Sequence, residues 1–150
     1  MGAVPPGAAG WGKDQPMASR LNPYIQFDGD ARAAMEFYQG VFGGEVSSNT
    51  FKEFGTGHGP DDDDKLMHAQ LETPSGFTLM AADTPQGMPY NPGENIAISL
   101  SGDGSELRDY YQKLSDGGKV TVPLEKQMWG DEFGMLTDKF GINWMVNIAG

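Results

Sequence analysis

The sequence predicts an α+β fold of two βαβββ modules, each lending a curved mixed sheet to one shared cleft. Three observations carry that expectation. The segment IQFDGDARAAMEFYQGVFGGEV at 25–46 returns as ISLSGDGSELRDYYQKLSDGGKV at 98–120, with Ile25 on Ile98, Gly29 on Gly102 and Phe37-Tyr38-Gln39 on Tyr110-Tyr111-Gln112. One extra residue, Asp116, then brings Gly43-Gly44 and Val46 onto Gly117-Gly118 and Val120. A second echo closes each copy, GFTLM at Gly76–Met80 against GINWM at Gly141–Met145. Each copy also holds one stripe of helical period among runs of strand period. Repetition on this scale marks duplicated supersecondary units, and paired copies commonly enclose what they bind.

The elements follow in order. LNPYIQF at 21–27 reads as a strand, with Pro23 tolerated near its start. Asp28-Gly29-Asp30 makes a turn with Asp30 as helix N-cap, and Ala34, Phe37, Tyr38 and Val41 give the helix one buried stripe. Gly43-Gly44 ends it in a left-handed cap. Strands are expected near 45–54, 66–72 and 77–82, with GTGHGPDDDDK as a mobile acidic loop between the first two. DTPQGMPYNPG at 83–93, broken by prolines and glycines, is the linker. The second copy reads as a strand at 94–100, then a helix capped by Asp103 with Glu106 completing a capping box. That helix carries Leu107, Tyr110, Tyr111 and Leu114 and stops at Gly117-Gly118; strands near 119–126, 134–138 and 143–148 follow. Residues 1–20 read as a flexible leader with Met17 as a natural start, and 21–150 as one domain of modules 21–86 and 93–150.

Composition removes several classes of function. A net charge of −11 repels phosphate backbones and anionic lipid heads, so neither nucleic acid nor a membrane surface is an expected partner. With no cysteine there is no disulfide, thiolate metal site or thiol nucleophile, which fits a cytoplasmic protein. No apolar run approaches the roughly 20 residues of a membrane span. The chain has no G-x-S-x-G elbow and no P-loop.

Strand alternation nominates the residues that line a cleft. On the first strand Ile25 and Phe27 turn to the helix, leaving Asn22, Tyr24 and Gln26 on the other side. On the third, Met67, Ala69 and Leu71 form the apolar row, opposite His68, Gln70 and Glu72. Thr78 and Met80 follow on the fourth, and Asn95, Ala97, Ser99, Met145 and Asn147 in the second module. Trp129 and Phe133 lie in a loop-rich stretch that could close one end. The mixture of neutral polar groups, thioethers and aromatics is typical of a pocket for a small organic ligand. His68 is the candidate general base, with Glu72 placed to orient it. His58, among glycines, reads as exposed, and Asp61–Asp64 with Lys65 as a solvated, protease-accessible run.

The two modules, the Gly-Gly helix stops, "FDGDARAAMEFY" and "DKFGINWM" together resemble the vicinal-oxygen-chelate superfamily, which groups glyoxalases, bleomycin-resistance proteins and extradiol dioxygenases. "NPYIQFDGDARAAMEFY", "MHAQL" and "WGDEFGMLTDKFGINWM" are similar to the PhnB-like branch. That branch is often labelled a methyltransferase, but no glycine-rich cofactor loop opens a helix here. The resemblance implies a glyoxalase/bleomycin-resistance fold, a homodimer, and a divalent metal held by one residue on the first and last strand of each module. Those positions fall on Asn22, Met80, Asn95 and Met145. Amides and thioethers bring no charge to offset a dication's desolvation, and a thioether suits Cu(I) rather than Mg, Mn, Fe, Ni or Zn. No metal and no cofactor is therefore expected. The expected function is binding of a small organic molecule; the alternative is a lyase, isomerase or dioxygenase-like enzyme, metal-dependent or using His68 as acid and base.

Overall fold

A computed structural model describes residues 19–55 and 60–150. The leader expected at the N-terminus, apart from its last two residues, and His58 lie outside the described residues. The chain divides between Pro92 and Gly93 into two compact units.

Unit 1 contains β1 (Tyr24–Phe27), α1 (Ala31–Phe42), β2 (Glu45–Thr50), a one-turn α2 (Phe51–Phe54), a 3-10 turn at Pro60–Asp62, β3 (Leu66–Glu72) and β4 (Thr78–Asp83). Unit 2 contains β5 (Ile98–Gly102), α3 (Glu106–Ser115), β6 (Lys119–Lys126), β7 (Glu132–Thr137) and β8 (Asn143–Ile148). The sheets have the same order, β1-β4-β3-β2 and β5-β8-β7-β6. In each, the first strand runs parallel to the last and the other pairings are antiparallel. The expected α+β architecture of two mixed four-stranded sheets is present.

Apolar periodicity explains which face each helix covers. In unit 1, Ala31, Ala34, Met35, Tyr38, Val41 and Phe42 of α1 are buried, as are Phe27, Ala69, Leu71, Leu79 and Ala81 on the sheet. Phe42 meets Phe77 edge-on with centroids 5.8 Å apart. In unit 2, Leu107, Tyr111 and Leu114 of α3 are buried, with Leu136, Trp144, Val146 and Ile148 on the sheet. Phe37 and Tyr110, equivalent in the repeat, are only half-buried. The core stripe of α1 therefore runs through Met35 rather than Phe37.

The repeat extends to turn chemistry. Thr73 and Asp138 open equivalent four-residue turns, with Gly76 and Gly141 N–H bonded to the carbonyls of Thr73 and Asp138. Thr73 Oγ1 accepts from Phe77 N at 3.0 Å, and Asp138 Oδ1 accepts from Phe140 N and Ile142 N at 2.8 and 3.0 Å. Asp138 Oδ2 also accepts from the buried Trp144 Nε1 at 2.9 Å. The paired glycines are explained by the same turns. A Cβ on Gly44 would overlap the Glu72 carbonyl and lie 2.8 Å from Thr73 Cα; one on Gly118 would overlap the Thr137 carbonyl and lie 2.9 Å from Asp138 Cα.

Several local expectations are corrected. Asp30 makes no side-chain cap. Asp83, 3% exposed at the end of β4, replaces it: Oδ1 accepts from Gly29 N and Ala31 N, and Oδ2 from Leu66 N, each at 2.9 Å. The α1 stop at Gly43 has φ 75 and ψ −169, which is not a left-handed helical cap. Asp103 and Glu106 form no capping box, because α3 begins at Glu106 with Ser105 as N-cap and no side-chain bond. Nor does 45–54 remain one strand: the Thr50 hydroxyl accepts from Glu53 N and the Glu53 carboxylate from Thr50 N, a capping box that starts α2.

The acidic run is solvated only in part: Asp61 and Asp64 are exposed, but one of the four carboxylates is not. Asp62 is 0% exposed; its carboxylate pairs with Lys65 Nζ at 3.0 Å and accepts from Gln86 N. The Asp62 bond is the main reason the Lys65 ammonium titrates above its usual range, and desolvation opposes it. Phe51 N and Lys52 N donate to Lys65 O and Asp63 O, tying this segment to α2.

Candidate functional site

In unit 1 the helix covers one sheet face, and the nominated polar residues lie on the other because β1, β3 and β4 alternate. The strand register sets them in rows. Tyr24 stands beside Met80, and Met80 beside Gln70, which faces Ser47 on β2. Gln26 stands beside Ala82, one step along, and His68 beside Asn49. Glu72 stands at the end of the face, where it pairs with Thr78 and Glu45; Asn22, expected on the first strand, precedes β1, which begins only at Tyr24. The Arg20 guanidinium donates to Thr78 Oγ1 there, covering that hydroxyl.

Two side-chain contacts order this face. The Tyr24 hydroxyl lies 3.4 Å from His68 Nδ1, with ring centroids 5.8 Å apart and planes tilted by 44°. Gln70 Nε2 donates to Glu72 Oε2 at 3.0 Å. Glu72 is thus engaged with Gln70, the neighbour of His68, and no bond from it to the imidazole is present. Tyr24, 54% exposed, is the partner that sequence reasoning did not assign to His68. A cross-strand neighbour at the register β1–β4–β3 is invisible until the sheet order is known.

In unit 2, Ser99 stands beside Met145, and Met145 opposite Met135. Asn147 stands opposite Phe133 and donates from Nδ2 to Asp131 Oδ2 at 2.9 Å. In this unit one nominated residue leaves its expected strand, as Asn22 does in unit 1, and one sits in the loop stretch expected of it. Asn95 is exposed in a bend before β5, which begins only at Ile98. Trp129 is 61% exposed in the turn between β6 and β7, bonded to the Asp131 carboxylate. The Asn147 amide, then Gly150 N–H, hold the Asp131 carboxyl below its usual range.

The units differ in one respect that matters for site equivalence. Spacing in the repeat pairs Asn22 with Asn95, yet Tyr24 and not Asn22 stands beside Met80, and Ser99 and not Asn95 stands beside Met145. Relative to the repeat, β5 has slid two residues along β8. A two-residue slide keeps every side chain on its own face. It also explains why α3 begins late and why Asn95 leaves the strand.

The donor set at the four implied metal positions is neutral throughout: two amides, both outside any strand, and two thioethers. Among the described residues no group of three or more His, Asp or Glu side chains is placed to hold a metal ion. These residues do not fit a hard or borderline dication. Among the described residues no helix is long and apolar enough to cross a membrane.

Two four-stranded mixed sheets, each with one covering helix and a half-buried polar-and-thioether face opposite it, define a class of duplicated α+β proteins. The family described as the Glyoxalase/Bleomycin resistance protein/Dioxygenase superfamily matches residues 20–146, and the chain belongs to it. Protein PA1353 from Pseudomonas aeruginosa has a crystal structure that is 37% identical, with a TM-score of 0.74 over 88% of this chain and 98% of that one. Protein YjdN of Escherichia coli is 25% identical over 86% of this chain and 95% of its own. A Bacillus cereus structure described as a putative 3-demethylubiquinone-9 3-methyltransferase, PhnB protein, shares the fold at 24% identity, with a TM-score of 0.70 over 87% of this chain and 100% of that one.

Proposed function

We propose that this chain is a small-molecule-binding member of its superfamily that has lost the metal centre, and that it takes a small organic ligand on the sheet faces its helices leave uncovered. The observation carrying this reading is the open face of β1, β4 and β3, where Tyr24, His68, Gln70 and Met80 mix neutral hydrogen-bonding groups with aromatic and thioether surface. The neutral donor set at the implied ligand positions supports the absence of a metal. A methyltransferase activity is not carried over from the Bacillus cereus protein, since no glycine-rich cofactor loop opens a helix here.

Melting of the demetallated chain tests it, with Ni, Zn, Mn, Fe and Co added singly and then with a library of small aromatic compounds. Binding to the native form at a hundredfold excess over Kd adds about 2.7 kcal/mol. The reading expects no shift with metals and a shift with some organic compound; stabilisation by one transition metal at that level would sink it.

Acid–base catalysis by His68 is the second reading, favoured by the Tyr24 hydroxyl 3.4 Å from its imidazole. A His68→Ala variant that kept any activity found would remove it. The reading also includes a cytoplasmic homodimer, for which Ile96 and Trp129 supply exposed apolar surface; a monomeric mass in solution would rule out the dimer.

A further inference from the structure

The same face carries an inference about what it would recognise, which rests on the binding reading above. A glutamine amide on an open sheet can turn either end outward. A carboxylate, however, can only accept. The bond from Gln70 Nε2 to Glu72 Oε2 therefore fixes the amide, and Gln70 Oε1 is left as an acceptor on the face. His68 is ordered in a similar way. The Tyr24 hydroxyl lies 3.4 Å from Nδ1; where it donates there, neutral His68 carries its proton on Nε2, which becomes a donor. His68 and Gln70 are alternate residues of β3, so their side chains leave the same face about 7 Å apart along the strand. Met80, the register neighbour of both Gln70 and Tyr24, adds apolar surface to the same face.

We infer that Glu72 and Tyr24 are positioning residues that give this face a fixed polarity. It would accept a proton donor at Gln70 and offer one at His68, with the Tyr24 ring and Met80 thioether as the apolar floor. The complementary ligand is a single aromatic ring bearing a hydroxyl or N–H at one end and a carbonyl at the other. A ring with both groups on one edge does not reach across that spacing. Nothing in this recognition needs a metal or a net charge.

The probes are 4-hydroxyacetophenone, which has the pattern, and 4-methoxyacetophenone, which lacks only the donor. Each is titrated into the full chain while NMR follows the His68 imidazole, the Gln70 side-chain amide and the Met80 methyl. The expected result is binding of the hydroxy compound about tenfold tighter than the methoxy one, the loss of one hydrogen bond that leaves Gln70 Oε1 unpaired. The imidazole nitrogen shifts should show the proton on Nε2. In Glu72→Gln, whose amide can donate or accept, the preference should fall toward one while the Met80 methyl still responds.

The preference on the wild-type chain needs no variant, so a folding defect in Glu72→Gln does not shield the inference. Shifts at His68, Gln70 and Met80 with equal affinity for both probes would overturn it and leave the binding reading standing. A tenfold preference unchanged in a folded Glu72→Gln would remove Glu72 from its role. No response at these three residues to either probe overturns this inference; the same silence across a wide set of aromatic compounds takes the binding reading with it.

Discussion

Asp83 shows how much one side chain can organise. Its carboxylate accepts three N–H groups, two at the start of α1 and one at the start of β3, and it is almost fully buried. Replacing it by Ala orphans all three donors in a site that water cannot easily fill. Asp83→Ala should cost about 3 kcal/mol in denaturant-midpoint measurements, where a surface Asp such as Asp61 should cost almost nothing. Asp131 offers a test by pH. Its folded carboxyl titrates below the ordinary value of 3.8, held there first by the Asn147 amide. A depressed value means the contribution is full above the ordinary pKa and is lost as pH falls through the folded one. The melting difference between the wild type and Asp131→Asn should stay constant from neutral pH down to about pH 5 and close below about pH 4. A gap that widened on acidification would contradict the assignment.

At the scale of elements, the two glycines behind the helix stops should be intolerant for a packing reason. Gly44→Ala forces a methyl into the Glu72 carbonyl and Thr73 backbone. Gly55 also has positive φ, at 63, but open space around its Cβ. Gly44→Ala should lower the melting temperature well beyond Gly55→Ala, whose cost is limited to about 1–2 kcal/mol of backbone strain. The DDDDK segment makes a second prediction. Lys65 is paired with buried Asp62, and Leu66, which follows it, already lies in β3. Enteropeptidase should leave the native chain intact after Lys65 and cut it once unfolded; rapid native cleavage would show that the segment opens.

These cases also mark what the sequence disclosed. Helical stripes and strand alternation were readable because burial imposes their periods: Tyr38 and Tyr111, Val41 and Leu114 are buried as expected. The side of β3 that carries His68 and Gln70 followed from the same logic. The ends of elements were less readable. A two-residue slide of β5 along β8 preserves every alternation, so no pattern betrays it, and it displaced Asn95, the Asp103 cap and the start of α3 together. The cap on α1 came from Asp83, more than fifty residues away, a contact no local rule reaches. One error was avoidable, since Thr50-x-x-Glu53 is a capping box in plain view and announced α2.

For the molecule as a whole, charge sets the response to solution conditions. A net charge of −11 on 150 residues makes every acidic group a source of self-repulsion, and salt screens it. Raising ionic strength from about 0.01 M to about 0.15 M should therefore raise the melting temperature. A fall would mean that ion pairs such as Lys65–Asp62 and Lys113–Asp109 outweigh the repulsion. The family assignment, resting on nearly the full described chain, fixes the architecture; the chemistry depends on particular side chains of the two sheets.

Duplication ordinarily hands a protein two interchangeable halves, and any later specialisation must begin from that sameness. Sliding one strand by a single pleat repeat gives a way out. It sets a phenol beside the thioether in one half and a small hydroxyl beside its counterpart in the other, while each strand residue keeps its own face of the sheet. Grafting a residue from one half onto its aligned twin would consequently deliver it to the wrong neighbour. An engineer should match pleats here, and count letters only within the helices.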